Sequence, residues 1–172
     1  QLGQNFVTEP SAIRKIVREA GIKSGDQVLE VGPGLGSLTL GLVEVGATVA
    51  VCEIDARLAA FLPATIRSHA PGAAGNLYLI QKDALKLVPA DLTGLSSIAE
   101  GADDAGNKCG GNVSDAFSTA SRNFSPTVLV SNLPYNVAVP VLLHLFAAFP
   151  SLERALVMVQ KEVAPVSYTH LR

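Results

Sequence analysis

An apolar stretch, Gln27-Val28-Leu29-Glu30-Val31, runs straight into Gly32-Pro33-Gly34-Leu35-Gly36, and Ser37 is then the expected cap of a helix through Val45 that Gly46 ends. Strand, glycine-rich turn and helix in that order restrict the chain to few folds. Glycines at the carboxyl end of a buried strand let backbone approach a ligand closely, and Gly32 and Gly34 are the two placed to do so. A dinucleotide fingerprint wants its third small residue five places after the first, at Ser37, whereas the third glycine here comes early at Gly36. That spacing argues against a nicotinamide or flavin site.

The pattern repeats along the chain. Thr48-Val49-Ala50-Val51-Cys52-Glu53 reads as a second strand closed by a carboxylate about 20 residues after Gly32, where an acid can accept both hydroxyls of a ribose. Glycine turn and acid together point to a nucleoside-bearing cofactor. Asp55 is the competing acid, and its place before the next helix suits an N-cap. Residues 56–70 read as helical, with Pro63 predicting a kink or two short helices. Leu77-Tyr78-Leu79-Ile80-Gln81 makes a third strand. Asp83 and Ala84 follow its end, where the Asp83 oxygens could accept from an adenine amino group; a turn-forming Asp is the plainer alternative.

A fourth apolar run, residues 127–131, leads into Asn132-Leu133-Pro134-Tyr135-Asn136. The Asn132 amide oxygen and the Leu133 carbonyl are two acceptors. Pro134 holds residue 133 extended, and Tyr135 supplies a flat ring, a set suited to gripping an exocyclic amine. Residues 137–149 then read as a packed helix containing His144, expected to be structural rather than a base, and residues 155–160 as a fifth strand. Near the start, Thr8 is the expected N-cap of a helix with Pro10 in its first turn and Ile13, Ile16, Val17 and Ala20 as its buried stripe. Asn5 lies on the lead-in, from which its amide could reach a ligand. Strands alternating with helices predict a parallel, doubly wound α/β sheet with the singled-out residues along its carboxyl edge.

Composition narrows the function classes. The chain has 172 residues, 48% of them apolar, no Trp and a formal net charge of -2. The acidic balance counts against a broad nucleic-acid surface, because phosphate contacts need Lys and Arg; Arg14, Lys15, Arg18 and Lys23 make only a locally basic start, equally readable as a solvated helix face. Cys52 and Cys109 are too few for a disulfide framework or zinc site and read as free thiols. No apolar run is long enough to cross a bilayer, so a soluble, cytoplasmic monomer without membrane or metal is expected. From about Thr93 to Pro126 the composition turns to Gly, Ser, Ala, Asn and Asp, which predicts a flexible insertion without a catalytic role.

Taken together, Gln4-Asn5-Phe6, the stretch Glu30 to Thr39, Glu53-Ile54-Asp55, Asp83-Ala84-Leu85, Asn132-Leu133-Pro134-Tyr135-Asn136 and Gln160-Lys161-Glu162-Val163 resemble, in residues and order, the ribosomal RNA adenine dimethyltransferases, and within them the KsgA/RsmA type. The resemblance covers residues 1–164 apart from the insertion. It implies a class I methyltransferase (Rossmann-like) fold using S-adenosylmethionine and a substrate of adenosines in small-subunit ribosomal RNA. Carried over, Asn5 and the backbone at Val7 and Gly32 would hold the methionine part, Glu53 the ribose and Asp83 the adenine. Asn132 would sit where cofactor meets target. Val7 stands where the family usually has Leu, a change a backbone contact tolerates. The stretch is expected to lack the family's helical domain after the methyltransferase domain, and residues 165–172 are expected to fall outside the family pattern. A large-subunit enzyme of the macrolide-resistance type and a non-catalytic ribosome-assembly factor are the competing expectations.

Overall fold

Val28, Leu29, Val128, Leu129 and Val130 are almost completely buried because their strands lie at the centre of a sheet covered on both faces. The computed structural model describes residues 9–99 and 123–160, the side chain of residue 160 excepted. Five strands, β1 (Gln27–Val31), β2 (Thr48–Glu53), β3 (Leu77–Gln81), β4 (Val128–Pro134) and β5 (Arg154–Gln160), form one sheet in the order β3-β2-β1-β4-β5, every pair parallel. The order reverses after β1, so the crevice above the carboxyl ends of β1 and β4 is a topological switch point, the place where open α/β sheets bind ligands.

Helices α1 (Pro10–Glu19), α2 (Ser37–Glu44) and α3 (Ala56–His69) cover one face, burying Ile13, Val17, Leu38, Leu42, Leu62 and Ile66 against Val28, Val49 and Val130. Helix α4 (Tyr135–Ala148) covers the other, with Ala138, Val141 and Leu145 packed on Leu29, Val31 and Leu129. Burying such side chains contributes about 1.5–3 kcal/mol each. Arg154, at the start of β5, seats α1 on the sheet by donating to the Ala20 and Gly21 carbonyls and to Asp26 Oδ2 at 3.1 Å.

Several local expectations shift. The N-cap of α1 is Glu9, with no side-chain cap bond, because Pro10 fixes the first helical residue. Gly36, rather than Ser37, precedes α2, at φ 87°, a left-handed conformation where a Cβ would also stand 2.5 Å from Leu62 Cδ1. Pro63 does not divide α3: one helix runs from Ala56 to His69, since Ala59, Leu62 and Ile66 hold both sides of the proline on the same core. β4 continues three residues past Ser131, because Asn132, Leu133 and Pro134 stay in register with Met158, Val159 and Gln160 of β5. Pro134, at the strand's end, removes only a terminal donor. Tyr135 and Asn136 therefore belong to the first turn of α4.

The ends of the expected insertion are part of the folded domain. Ile98 is buried and its N–H donates to the Leu77 carbonyl at 2.9 Å; Phe124 is buried, donates to Leu92, and places its ring 6.0 Å from that of Tyr78. The folded part of the domain therefore extends inward from 93 and 126, and residues 100–122 lie outside the described residues.

Candidate active site

A cleft of about 770 Å³ opens at the carboxyl edge of the sheet, within the range of ~300–1,000 Å³ common for small-molecule sites. Gly32, Gly34, Glu53, Asp83, Ala84, Asn132, Leu133 and Pro134 all line it, although they come from four different strand ends. Gly32 has φ 67°, and a Cβ there would lie 3.5 Å from Leu133 Cδ2, so the glycine turn and the β4 tip are in near contact. Ser131 Oγ accepts the Val31 N–H at 3.1 Å, a buried bond that fixes β1 against β4 just below the cleft.

The acids occupy the β2–β3 side. Glu53 is buried, and its Oε1 accepts the Asp55 N–H at 2.9 Å, which aims the carboxylate over the end of β2. Asp55 caps α3 by accepting from the Arg57 N–H at 2.8 Å, and the Arg57 guanidinium beside it lowers its carboxyl to about 2. Asp83 caps the short turn Ala84–Lys86, its Oδ1 accepting the Leu85 N–H at 3.0 Å. The turn-forming role is thus real, and it holds the Asp83 carboxylate at the cleft wall.

Lys82 knits this wall together. Its N–H donates to the Glu53 carbonyl, its own carbonyl accepts from the Cys52 thiol, and its Nζ lies 2.7 Å from both Asp91 oxygens. The ammonium holds the Asp91 carboxyl below its ordinary range. Cys52 is a buried free thiol pushed up to about 12, first by burial and then by Glu53, Asp83 and Asp91, against the opposing pull of Lys82. It is therefore an unreactive wall residue. His144 is structural: its Nε2 lies 2.8 Å from the Leu87 carbonyl, so the ring donates and ties α4 to the loop after β3.

On the β4 side, Asn132 is partly buried, while Pro134 and Tyr135 are exposed, Tyr135 at 70%. Tyr135 stands at the first position of α4, adjacent in sequence to the lining residues but outside the lining itself. Asn5 and Val7, with Gln4 and Phe6, lie outside the described residues, as do Cys109 and Lys161-Glu162-Val163.

Sequence reasoning gave no separate role to Glu30. It lines the cleft, is 1% exposed, and its Oε2 has no hydrogen-bond partner among the described residues. Burial, foremost, pushes its carboxyl up to about 8, and the negative charge of Glu53 adds to this. The nearby Thr39 hydroxyl pulls the other way, although Thr39 Oγ1 meets no hydrogen-bond partner among the described residues. The signal available in the sequence was the charge itself: a glutamate inside an otherwise apolar central strand, one residue from the glycine turn.

The parallel sheet, the glycine turn and the acids at successive strand ends are those of the Rossmann-like methyltransferase fold. The crystal structure of the 23S rRNA methyltransferase ErmE superposes with a TM-score of 0.61 at 25% identity, covering 92% of this chain and 49% of that one. A dimethyladenosine transferase from Plasmodium falciparum does so at 0.60 and 25% identity, over 91% and 44%. The family model for ribosomal RNA adenine dimethylases matches residues 1–166, and the chain belongs to that family. Ribosomal RNA small subunit methyltransferase A of Corynebacterium efficiens is 49% identical over 164 residues, 95% of this chain and 46% of that protein. The chain thus spans about half the length of the curated relatives it matches.

Proposed function

We propose that this chain transfers methyl groups from S-adenosylmethionine to N6 of adenosines in small-subunit (16S-type) ribosomal RNA, dimethylating two adjacent adenosines during ribosome biogenesis in the cytoplasm. One observation carries the reading: the Asn132-Leu133-Pro134 tip of β4 shares a single cleft with the Gly32–Gly36 turn and the Glu53 and Asp83 carboxylates. The 49% identity to a small-subunit methyltransferase favours that RNA over the large-subunit alternative.

The residues present fit the cofactor. Gly32 leaves backbone open to a close approach, Glu53 offers a buried acceptor for ribose hydroxyls, Asp83 and the Ala84 turn bound the adenine side, and the buried Glu30 carboxyl, whose Oε2 has no partner among the described residues, also lines the cleft. Asn5, Val7 and Gly32 would hold the methionine part. When bound, S-adenosylmethionine supplies a methyl already activated by its sulfonium, so what the protein contributes is alignment. The Asn132 amide oxygen and the Leu133 carbonyl accept the two N6 hydrogens of the target adenine, fixing the nitrogen in line and favouring the positive charge it develops. Tyr135 stacks on the extruded base and offsets an unstacking cost of about a few kcal/mol. The proton leaves to water after transfer, and no general base is assigned.

The test is labelled-methyl transfer to purified ribosomal subunits. Label in small-subunit RNA is the expected result; label confined to the large subunit, or none while the cofactor binds, would overturn the reading.

A further inference from the structure

The cleft is poorly suited to holding the phosphates of a nucleic acid. Glu53 and Asp83 line it, while its two cations are already neutralised, Arg57 by Asp55 at 3.0 Å and Lys82 by Asp91 at 2.7 Å. A polyanion therefore has to be held by cations outside it. Elsewhere among the described residues, Arg154 pairs with Asp26 and Arg67 donates to the Ile98 carbonyl. The cationic side chains left without a partner there are Lys86 and four that fall together, Arg14, Lys15 and Arg18 on α1 and Lys23 just after it, all of them exposed.

At 3.6 residues per turn, Arg14, Lys15 and Arg18 share one side of α1, opposite the buried Ile13 and Val17. Arg14 and Arg18 are four residues apart and Lys15 and Arg18 three, so their like charges work against the isolated helix. A face that served solubility alone would gain from alternating signs. Yet Glu19, four residues after Lys15, forms no ion pair with it, and Glu9 is turned to the Ser11 hydroxyl. The helix is also fixed in place. Ile13 packs where α2 has Gly41, since a Cβ there would collide with Ile13 Cγ2, and α2 starts at the glycine turn of the cleft. At the other end Arg154 holds the Ala20 and Gly21 carbonyls. The basic face thus stands at a fixed offset from the cleft.

Resting on the functional reading above, we propose that this face of α1 binds ribosomal RNA through its phosphates, holding the backbone beside the domain while the target base enters the cleft. Such contacts are indifferent to sequence: they set affinity and register, and the base is read elsewhere, at the tip of β4.

The test is labelled-methyl transfer by the whole chain to purified small subunits at a series of salt concentrations, in wild type and in the triple variant Arg14→Gln, Lys15→Gln, Arg18→Gln. Glutamine keeps the helix propensity. The triple variant should raise the subunit KM at least about tenfold at low salt and flatten the log–log salt dependence by about 2–3, as three lost phosphate contacts require. Its kcat and its calorimetric affinity for S-adenosylhomocysteine should be unchanged. Glu19→Lys, which extends the same face, should lower KM and steepen the slope by about one. A triple variant with wild-type KM and salt slope overturns the proposal, as does one whose kcat falls at unchanged KM. Should the triple variant fail to fold, Glu19→Lys decides, and a wild-type slope there overturns it. If the wild-type chain transfers no methyl to small subunits, the functional reading falls and this inference with it; if it does and the variants behave as wild type, only this inference falls.

Discussion

The β2–β3 wall and the β4 tip face the same cleft but are finished differently. On the wall, Glu53 and Asp83 each already accept a backbone N–H, and Lys82 is held at its N–H, its carbonyl and its ammonium. At the tip, no side-chain hydrogen bond is made by Asn132 or Tyr135 among the described residues, and Pro134 and Tyr135 are exposed. The contrast separates two tasks. On the proposed reading, a nucleoside cofactor would meet preorganised acceptors on the wall, so that little ordering is lost on binding. On the same reading, the tip's polar groups would find partners in a substrate amine, which is where binding energy can be spent on the reacting geometry.

Changes at the tip should therefore strike turnover, and changes in the wall should strike cofactor affinity. The largest effect is expected for Asn132→Ala: methyl transfer falls at least about 100-fold, the scale seen when one preorganised transition-state contact is removed, while the dissociation constant for S-adenosylhomocysteine stays within about tenfold. A fully active variant in a single-turnover transfer assay breaks the comparison. Tyr135→Ala should weaken productive RNA binding by about 1–3 kcal/mol through lost stacking, read as a raised RNA KM at unchanged cofactor affinity. A change in cofactor affinity instead would move Tyr135 to the wall.

Glu53→Ala should cost about 1–3 kcal/mol of cofactor affinity, since ribose hydroxyls lose their buried acceptor; unchanged calorimetric affinity removes Glu53 from the site. The smallest effect belongs to Lys82→Met. Its ion pair with Asp91 is partly exposed, at 32% and 24%, and contributes about 0.5–1 kcal/mol. Because Asp91 is held below its unfolded value, that contribution is present above the ordinary carboxylate range and is lost as pH falls through the lowered value. Urea melts of wild type and Lys82→Met should converge in acid; a gap that persists there would show that the lysine acts through packing.

Most of the frame was legible in the sequence because its signals are local. A buried parallel strand is a short apolar run, and β1, β2 and β3 begin and end where those runs do. The strand-end acids were legible for the same reason, since the end of a run fixes the edge of the sheet. What could not be read depends on contacts between distant segments. β4 runs on through Pro134 because β5 pairs with it there, and α3 passes Pro63 because the core beneath is continuous. Phe124 belongs to the domain through the Tyr78 ring, which no composition window detects. Glu30 was visible as a residue but not as a buried carboxyl whose Oε2 lacks a partner among the described residues, because its burial arises only after α2 has packed over β1.

The most direct test of the account is a crystal structure of the chain with S-adenosylhomocysteine. It should place the ribose hydroxyls on Glu53, the adenine beside Asp83 and Ala84, and the sulfur facing the Asn132 amide at the tip of β4. A nucleoside seated elsewhere, or an Asn132 side chain turned away from the sulfur, would contradict it.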